Sequence, residues 1–281
     1  MLPADLSATA VLIPALLSGL VAVGATLAIE RWGGRLGGVL GSVPTTIVPA
    51  SLGIAATSAS VAAFQQAMLA VPAGMLLNAL FLWSWRVLPG RLPASWRLSP
   101  RLALMVLLSL SGWSLGAVLV VQGGAAWRAA GLPVGALGLT TTLLLLLAGL
   151  AACLRPLPAP RGARRVGPLT LLGRGLLAAT AIGTSVLVAA TGHPLLAGIA
   201  SVFPAIFLTT MLSLWISQGQ AVPVGAVGPM MLGSTSVATY ALLASLSLPA
   251  LGPWGAVPAW LLATLGVSLP AGLWLRARSG A

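Results

Sequence analysis

From Leu102 to Trp127 the chain reads LALMVLLSLSGWSLGAVLVVQGGAAW without a single charge, and Arg101 and Arg128 close the run at either end. A hydrocarbon core of roughly 30 Å is crossed by roughly 20 helical residues, and a lipid-embedded backbone can satisfy its polar groups within one segment only as a helix. Uncharged runs of this kind recur along the whole chain. With 58% apolar residues against 6% charged, too little polar surface exists to cover a soluble globule of 281 residues. The expectation is an all-α polytopic membrane protein forming one transmembrane domain over 1–281. Helices are expected at 8–29, 37–58, 61–85, 101–122, 132–154, 169–190, 195–217, 221–247 and 254–275, nine in all. MLPADLSATA lacks a basic stretch, so the first helix is expected to stay as an anchor rather than be cleaved as a signal peptide.

A net charge of +12 can mark a nucleic-acid binder, but these arginines fall between apolar blocks rather than on a solvated face. The positive-inside rule accounts for them better. With the N-terminus outside and nine spans, the cytoplasmic side receives Arg31, Arg35, Arg86, Arg91, Arg97, Arg101, Arg155, Arg161, Arg164, Arg165, Arg174, Arg276 and Arg278, and only Arg128 falls outside. The C-terminus is then cytoplasmic. RPLPAPRGARRVGP, from Arg155, is expected as a cytoplasmic linker over 155–168, dividing a first half at 8–154 from a second at 169–281. The lone Cys153 excludes an intramolecular disulfide and a thiolate metal site.

The halves echo each other. GGVLGSVPTTIVPASL from Gly37 aligns without gaps on AGIASVFPAIFLTTML from Ala197, pairing Gly38 with Gly198, Pro44 with Pro204 and Leu52 with Leu212. A fainter echo sets AVPAGMLLNALFLW at Ala70 against AVGPMMLGSTSVATY at Ala226. Because the preceding helices are the first and the sixth, the two copies would run in opposite directions. Inverted repeats with interrupted helices in matching positions point to the site of a secondary transporter.

AGIASVFPAIFLTTMLSLW, Ala197 to Trp215, resembles the motif of the small GlpM-like bacterial inner-membrane proteins: a small-residue pair, then Phe-Pro, then a hydroxyl-bearing apolar helix. Gly198, Phe203 and Pro204 carry the resemblance, with Gly38 and Pro44 as a degenerate counterpart. It implies a duplicated and fused version of a small unit that would otherwise pair with another copy.

Proline removes a backbone donor and clashes with the preceding turn, so carbonyls ahead of Pro44 and Pro204 must find other partners. Ser42, Thr45 and Thr46 stand beside the first proline, and Thr209 and Thr210 follow the second. Ser234, Thr235 and Ser236 follow Pro229, and Asn78 lies in the third helix. These residues are the expected solute-binding set, although hydroxyls and prolines also serve plain helix packing. Glu30 is the one carboxylate near the membrane and the candidate for a coupling proton or cation, with an interfacial ion pair to Arg31 or Arg35 as its alternative. His193, before Pro194, reads as a surface or capping residue.

No carboxylate pair, metal-spaced His/Cys cluster, Ser-His-Asp set or phosphate-binding glycine loop is present, so neither an enzyme nor a cofactor or metal protein is expected. The reading is a secondary transporter or facilitator of a small neutral, zwitterionic or anionic solute, with its site between inverted repeats. Its alternative is a non-transporting scaffold subunit of an envelope-assembly complex. Expected partners are the solute, membrane lipid and a second copy as a homodimer, with no nucleic acid. Arginine used to the exclusion of lysine, with abundant Ala, Gly and Pro, is the codon habit of a GC-rich bacterium and places the chain in the cytoplasmic membrane.

Overall fold

The computed structural model describes residues 7–40, 43–93, 95–155, 157 and 167–279, and for 28–40, 217, 218 and 279 the backbone only. The described residues form helices and no strand: α1 (Ala8–Leu40), α2 (Ile47–Thr57), α3 (Val61–Val87), α4 (Leu98–Ala129), α5 (Val134–Leu154), α6 (Pro168–Ala190), α7 (Pro194–Ala200), α8 (Ala205–Gln218), α9 (Ala221–Leu251), α10 (Ala256–Ala263) and α11 (Leu269–Ser279). A π-helical turn at Thr264–Ser268 joins the last two. Seven segments are long and apolar enough to cross a membrane, the architecture of a polytopic helical membrane protein. The last of them, Ala221–Arg278, doubles back at Gly252, whose φ of 61° suits glycine, and the Ser247 hydroxyl closes the turn by donating to the Gly255 carbonyl.

Two expected helices come out differently. The first does not stop near residue 29: α1 continues to Leu40, carrying Glu30, Arg31 and Arg35 on helix rather than in a loop. The chain there reads Arg-Trp-Gly-Gly and contains no proline, so nothing forces an end. The expected helix over 37–58 is instead an interruption followed by α2, 11 residues and so about 16 Å long, too short to span. In the second half the sequence Thr-Gly-His-Pro does end α6, with Gly192 at φ 80° and Pro194 opening α7. The interruption expected at Pro204 is present: α7 ends at Ala200 and α8 begins at Ala205.

The bundle is built around α3 and α9. In the most apolar window of α3, 72% of residues are buried, against 22% for α4, whose leucines face outward. The direction of packing is read from close approaches. Gly183 lies against Ala15, Gly19 against Ala179 and Gly175 against Val23, a register that falls on α6 as it rises on α1, so these two helices are antiparallel. Only glycine fits at the centre: a Cβ on Gly19 would lie 2.8 Å from the Gly175 carbonyl oxygen. The α3–α9 pair is antiparallel as well. The Gln65 amide donates to the Ser245 carbonyl near one end, while at the other Arg86 donates to the Ala152 carbonyl that lies against Gly228. The helix starts Ala8 and Pro168, and likewise Val61 and Ala221, are separated by the same 160 residues as Gly38 and Gly198.

Charge is segregated along the bundle. Arg86 also donates to the Arg155 carbonyl, Arg101 donates to the Gln220 side chain at 2.8 Å and stacks over Trp215, and Arg278 lies with Arg86 in electrostatic reach of Cys153. Arg128 is at the opposite end, bonded to Gln66 at 3.1 Å.

Candidate functional site

Arg174 lies towards the same end as Arg86, Arg101 and Arg155 but differs from them in being buried. It sits in the second turn of α6, between Gly173 and Gly175, and is only 7% exposed. The sequence reading placed it with the cytoplasmic loop arginines; the helix begins six residues earlier, at Pro168, and carries it into the packed interior. Three threonines surround the guanidinium. Its NH1 donates to Thr26 Oγ1 of α1 at 2.7 Å, its NH2 to Thr210 Oγ1 of α8 at 2.9 Å and its Nε to Thr209 Oγ1 at 3.3 Å. The Thr26 and Thr209 hydroxyl protons are themselves given to carbonyls one turn back, those of Ala22 and Ala205. Their lone pairs are therefore turned towards Arg174, which fixes the plane of the guanidinium. A buried arginine costs several kcal/mol in desolvation, and within a membrane segment it marks function by default.

Thr209 and Thr210 were among the expected solute-binding residues, and the fold brings both to this cluster. Glu30 stands one helical turn beyond Thr26 on α1, but its side chain lies outside the described residues. Ser42 and Asp5 lie outside them too. His193 is exposed at the far end of α6 from Arg174, so it and the backbone of Glu30 are at opposite ends of that helix.

The remaining expected residues divide among other roles. Pro44 is buried in the first interruption with Thr45 and Thr46 half-buried beside it, and Thr46 caps α2 without a side-chain bond. Pro204 is buried in the second interruption, at the N-cap of α8. Asn78 staples that interruption to α3 and α4. Its amide donates to the Val202 carbonyl at 2.7 Å, an acceptor that the break deprives of its helical partner, and its Oδ1 accepts from Trp113 Nε1 at 2.8 Å. Trp113 in turn packs edge-on against Phe203 with ring centroids 5.3 Å apart. Ser234 and Ser236 turn their hydroxyls back onto the Met231 and Gly233 carbonyls of α9. Thr235 Oγ1 is buried in α9 without a hydrogen-bond partner.

Two residues escaped the sequence reading. One is Arg174, whose only signal was a charge seven residues into an otherwise apolar block. The other is Tyr240, the single tyrosine of the chain, fully buried in α9. Its hydroxyl is 2.7 Å from Ser51 Oγ, and because Ser51 donates to the Val48 carbonyl, Tyr240 donates to Ser51. This bond ties α2 to α9.

The surroundings of Arg174 have a counterpart at a 160-residue offset. Pro14 stands where Arg174 would map, Val186 where Thr26 maps, and Pro49 and Ala50 where Thr209 and Thr210 map. Pro14 and Val186 do meet: a Cβ on Gly53 of α2 would lie 2.7 Å from each. The same junction of two antiparallel helices with the helix after an interruption thus occurs twice, once apolar and once cationic. No family model, curated protein or solved structure matches the chain.

Proposed function

We propose that this chain is a secondary transporter or facilitator of a small solute in the bacterial cytoplasmic membrane, working by alternating access between two inverted-topology repeats. The observation that carries the reading is the antiparallel packing of α1 against α6, two helices whose starts lie 160 residues apart, with a helix that follows an interruption, α2 or α8, packed against the pair in each half. Transporter sites of this type lie at the repeat interface, where interrupted helices leave backbone and hydroxyl groups for a solute. The repeats run from about residue 8 to 154 and from 169 to 281, joined by the arginine-rich linker. The clustering of Arg86, Arg101, Arg155 and Arg278 at one end supports a cytoplasmic orientation for that end, with the N-terminus outside. The GlpM-like motif supports the same architecture, a small unit duplicated and fused.

Purified protein reconstituted into proteoliposomes provides the test, using a panel of radiolabelled neutral, cationic and anionic small solutes. Protein-dependent, saturable uptake of at least one is expected, with a loss of rate in Pro44→Ala and in Pro204→Ala. Absence of uptake across the panel, together with stable co-purification of an envelope protein, would favour the scaffold reading instead.

A further inference from the structure

We infer that the groove between α3 and α4 seats an acyl chain of one anionic phospholipid, whose phosphate is held by Arg101, with Arg91 and Arg97, at the arginine-bearing end of the bundle. Both helices belong to the first half, so the site is independent of any transport between the halves.

The groove comes from the glycines of α4. At Gly116 the two helices touch: a Cβ there would lie 2.6 Å from the Leu77 side chain, and one turn away Trp113 is bonded to Asn78. A Cβ on Gly112, by contrast, would meet nothing within 4 Å. Contact resumes where Arg101 donates to the Pro89 carbonyl at 3.3 Å. Between these contacts lies a groove of about 150 Å³, with Leu80 and Phe81 on the α3 side and Leu108 and Gly112 on the α4 side. Leu80 and Leu108 are 60% and 43% exposed, so the groove opens outwards to lipid. The Ser84 and Ser109 hydroxyls in its wall are spent on the Phe81 and Met105 carbonyls, which leaves an apolar surface. Apolar space of this size takes a benzene-sized group, and so a length of acyl chain rather than a polar solute.

Charge selects the headgroup. Arg101 shares a face of α4 with Leu108 and Gly112, seven and eleven residues away, so it stands about 10 Å beyond Leu108 along the helix. The glycerol and ester groups of a phospholipid cover that span. The guanidinium is stacked over Trp215, and its NH2 is bonded to the Gln220 side chain and the Pro89 carbonyl, both neutral; NH1 bonds to no described residue. Arg91 and Arg97 are exposed in the connection between the two helices, with Trp96 beside Arg97 also exposed, as interfacial tryptophans are. With 14 arginines and two carboxylates in the chain, most of this charge must be balanced from outside it. At a membrane surface the available anion is the lipid phosphate, which the arginine fork fits.

Purified protein in a nonionic detergent, titrated with phosphatidylglycerol or phosphatidylcholine and read by native mass spectrometry, gives the lipid count per chain. Wild type should retain one phosphatidylglycerol about fivefold or more in preference to phosphatidylcholine, the share of at least one arginine at a lipid surface. Arg101→Gln should weaken retention about fivefold, and Arg128→Gln at the opposite end should not. Gly112→Leu should expel the lipid by filling the groove, and the open space at that position keeps the fold intact. If Arg101→Gln does not fold, the exposed Arg97→Gln takes its place and should also weaken retention. Equal retention of the two lipids, or an equal loss in Arg128→Gln, would overturn the headgroup assignment. Unchanged phosphatidylglycerol retention in Gly112→Leu would overturn the groove as the seat. So would inorganic phosphate alone raising the thermal midpoint as much as phosphatidylglycerol does.

Discussion

Gly198→Ala is the smallest change expected to loosen the second interruption. Gly198 belongs to α7, and its Cα faces the backbone of α3: a methyl group there would lie 2.9 Å from the Ala67 carbonyl carbon, overlap its oxygen and press on the Ala70 Cβ at 3.1 Å. Both of the atoms most affected belong to a buried helix backbone and cannot rotate away, so α7 must move off α3. Overpacking of this kind costs about 1–3 kcal/mol, and a lateral shift of α7 would also strain the Asn78 bond to Val202, four residues further on. For a chain of this size each kcal/mol corresponds to about 2–4 °C in midpoint, so a fall on the order of 5–10 °C is expected. Gly123 in α4 supplies the control, since a methyl group there meets nothing within 4 Å. Gly123→Ala should hold or gain stability, by up to about 1 kcal/mol of helix propensity. Thermal unfolding of both variants in the same detergent, followed by tryptophan fluorescence and by loss of the monodisperse chromatographic peak, reads the difference. If Gly198→Ala unfolds at the wild-type temperature or above, the backbone-to-backbone docking of α7 on α3 is refuted.

Three further outcomes follow from particular contacts. With Cys153 replaced by Ser, the pair Ala15→Cys and Gly183→Cys should form a disulfide under mild oxidation, because the Ala15 Cβ is 3.5 Å from the Gly183 Cβ position, within the disulfide range. The pair Ala15→Cys and Gly175→Cys should not, and a gel shift in the second pair alone would reverse the direction assigned to α6. Asn78→Leu leaves the Val202 carbonyl and the Trp113 indole N–H both buried without partners, at about 1–3 kcal/mol each; a lowered midpoint with altered tryptophan emission is expected, and an unchanged midpoint would remove Asn78 as a staple. Tyr240→Phe removes one hydrogen bond and should cost about 1 kcal/mol; because Ser51 also bonds the Val48 carbonyl, Ser51→Ala should cost more, and the double variant should lose less than the sum of the two single losses, strict additivity refuting the shared bond.

Much of the helical layout was legible because uncharged runs and their flanking arginines mark spans directly. The starts of α3 at Val61 and of α9 at Ala221 fall where the sequence places them. The overrun of α1 was not legible, since a Gly-Gly pair and an arginine read as a loop when lipid is assumed to end at the last apolar residue. Helix propensity penalises glycine by only about 1 kcal/mol per residue and does not forbid it. The candidate site was legible in half. Thr209 and Thr210 announced themselves by following a proline, whereas Arg174 was absorbed into a topology rule that treats every arginine near a helix end as a marker of sidedness. Tyr240 could have been found by rarity: a lone tyrosine in so apolar a chain needs a partner for its hydroxyl when buried. No sequence signal singled out Ser51 as that partner.

That the cationic junction occurs once has an energetic reason that can be sized. An arginine at position 14 would face α6 near Gly183 to Val186, about ten residues and so roughly 15 Å along that helix from Arg174. At an effective dielectric of about 20 the repulsion between two such charges is only about 1 kcal/mol. Desolvating a second guanidinium costs several kcal/mol by comparison. Burial, and not mutual repulsion, is what limits the number of charges. The second junction accordingly stays a set of close apolar contacts among Pro14, Gly53 and Val186. The buried arginine is displaced from the pseudo-symmetric centre at Gly19 and Ala179, towards the start of α6.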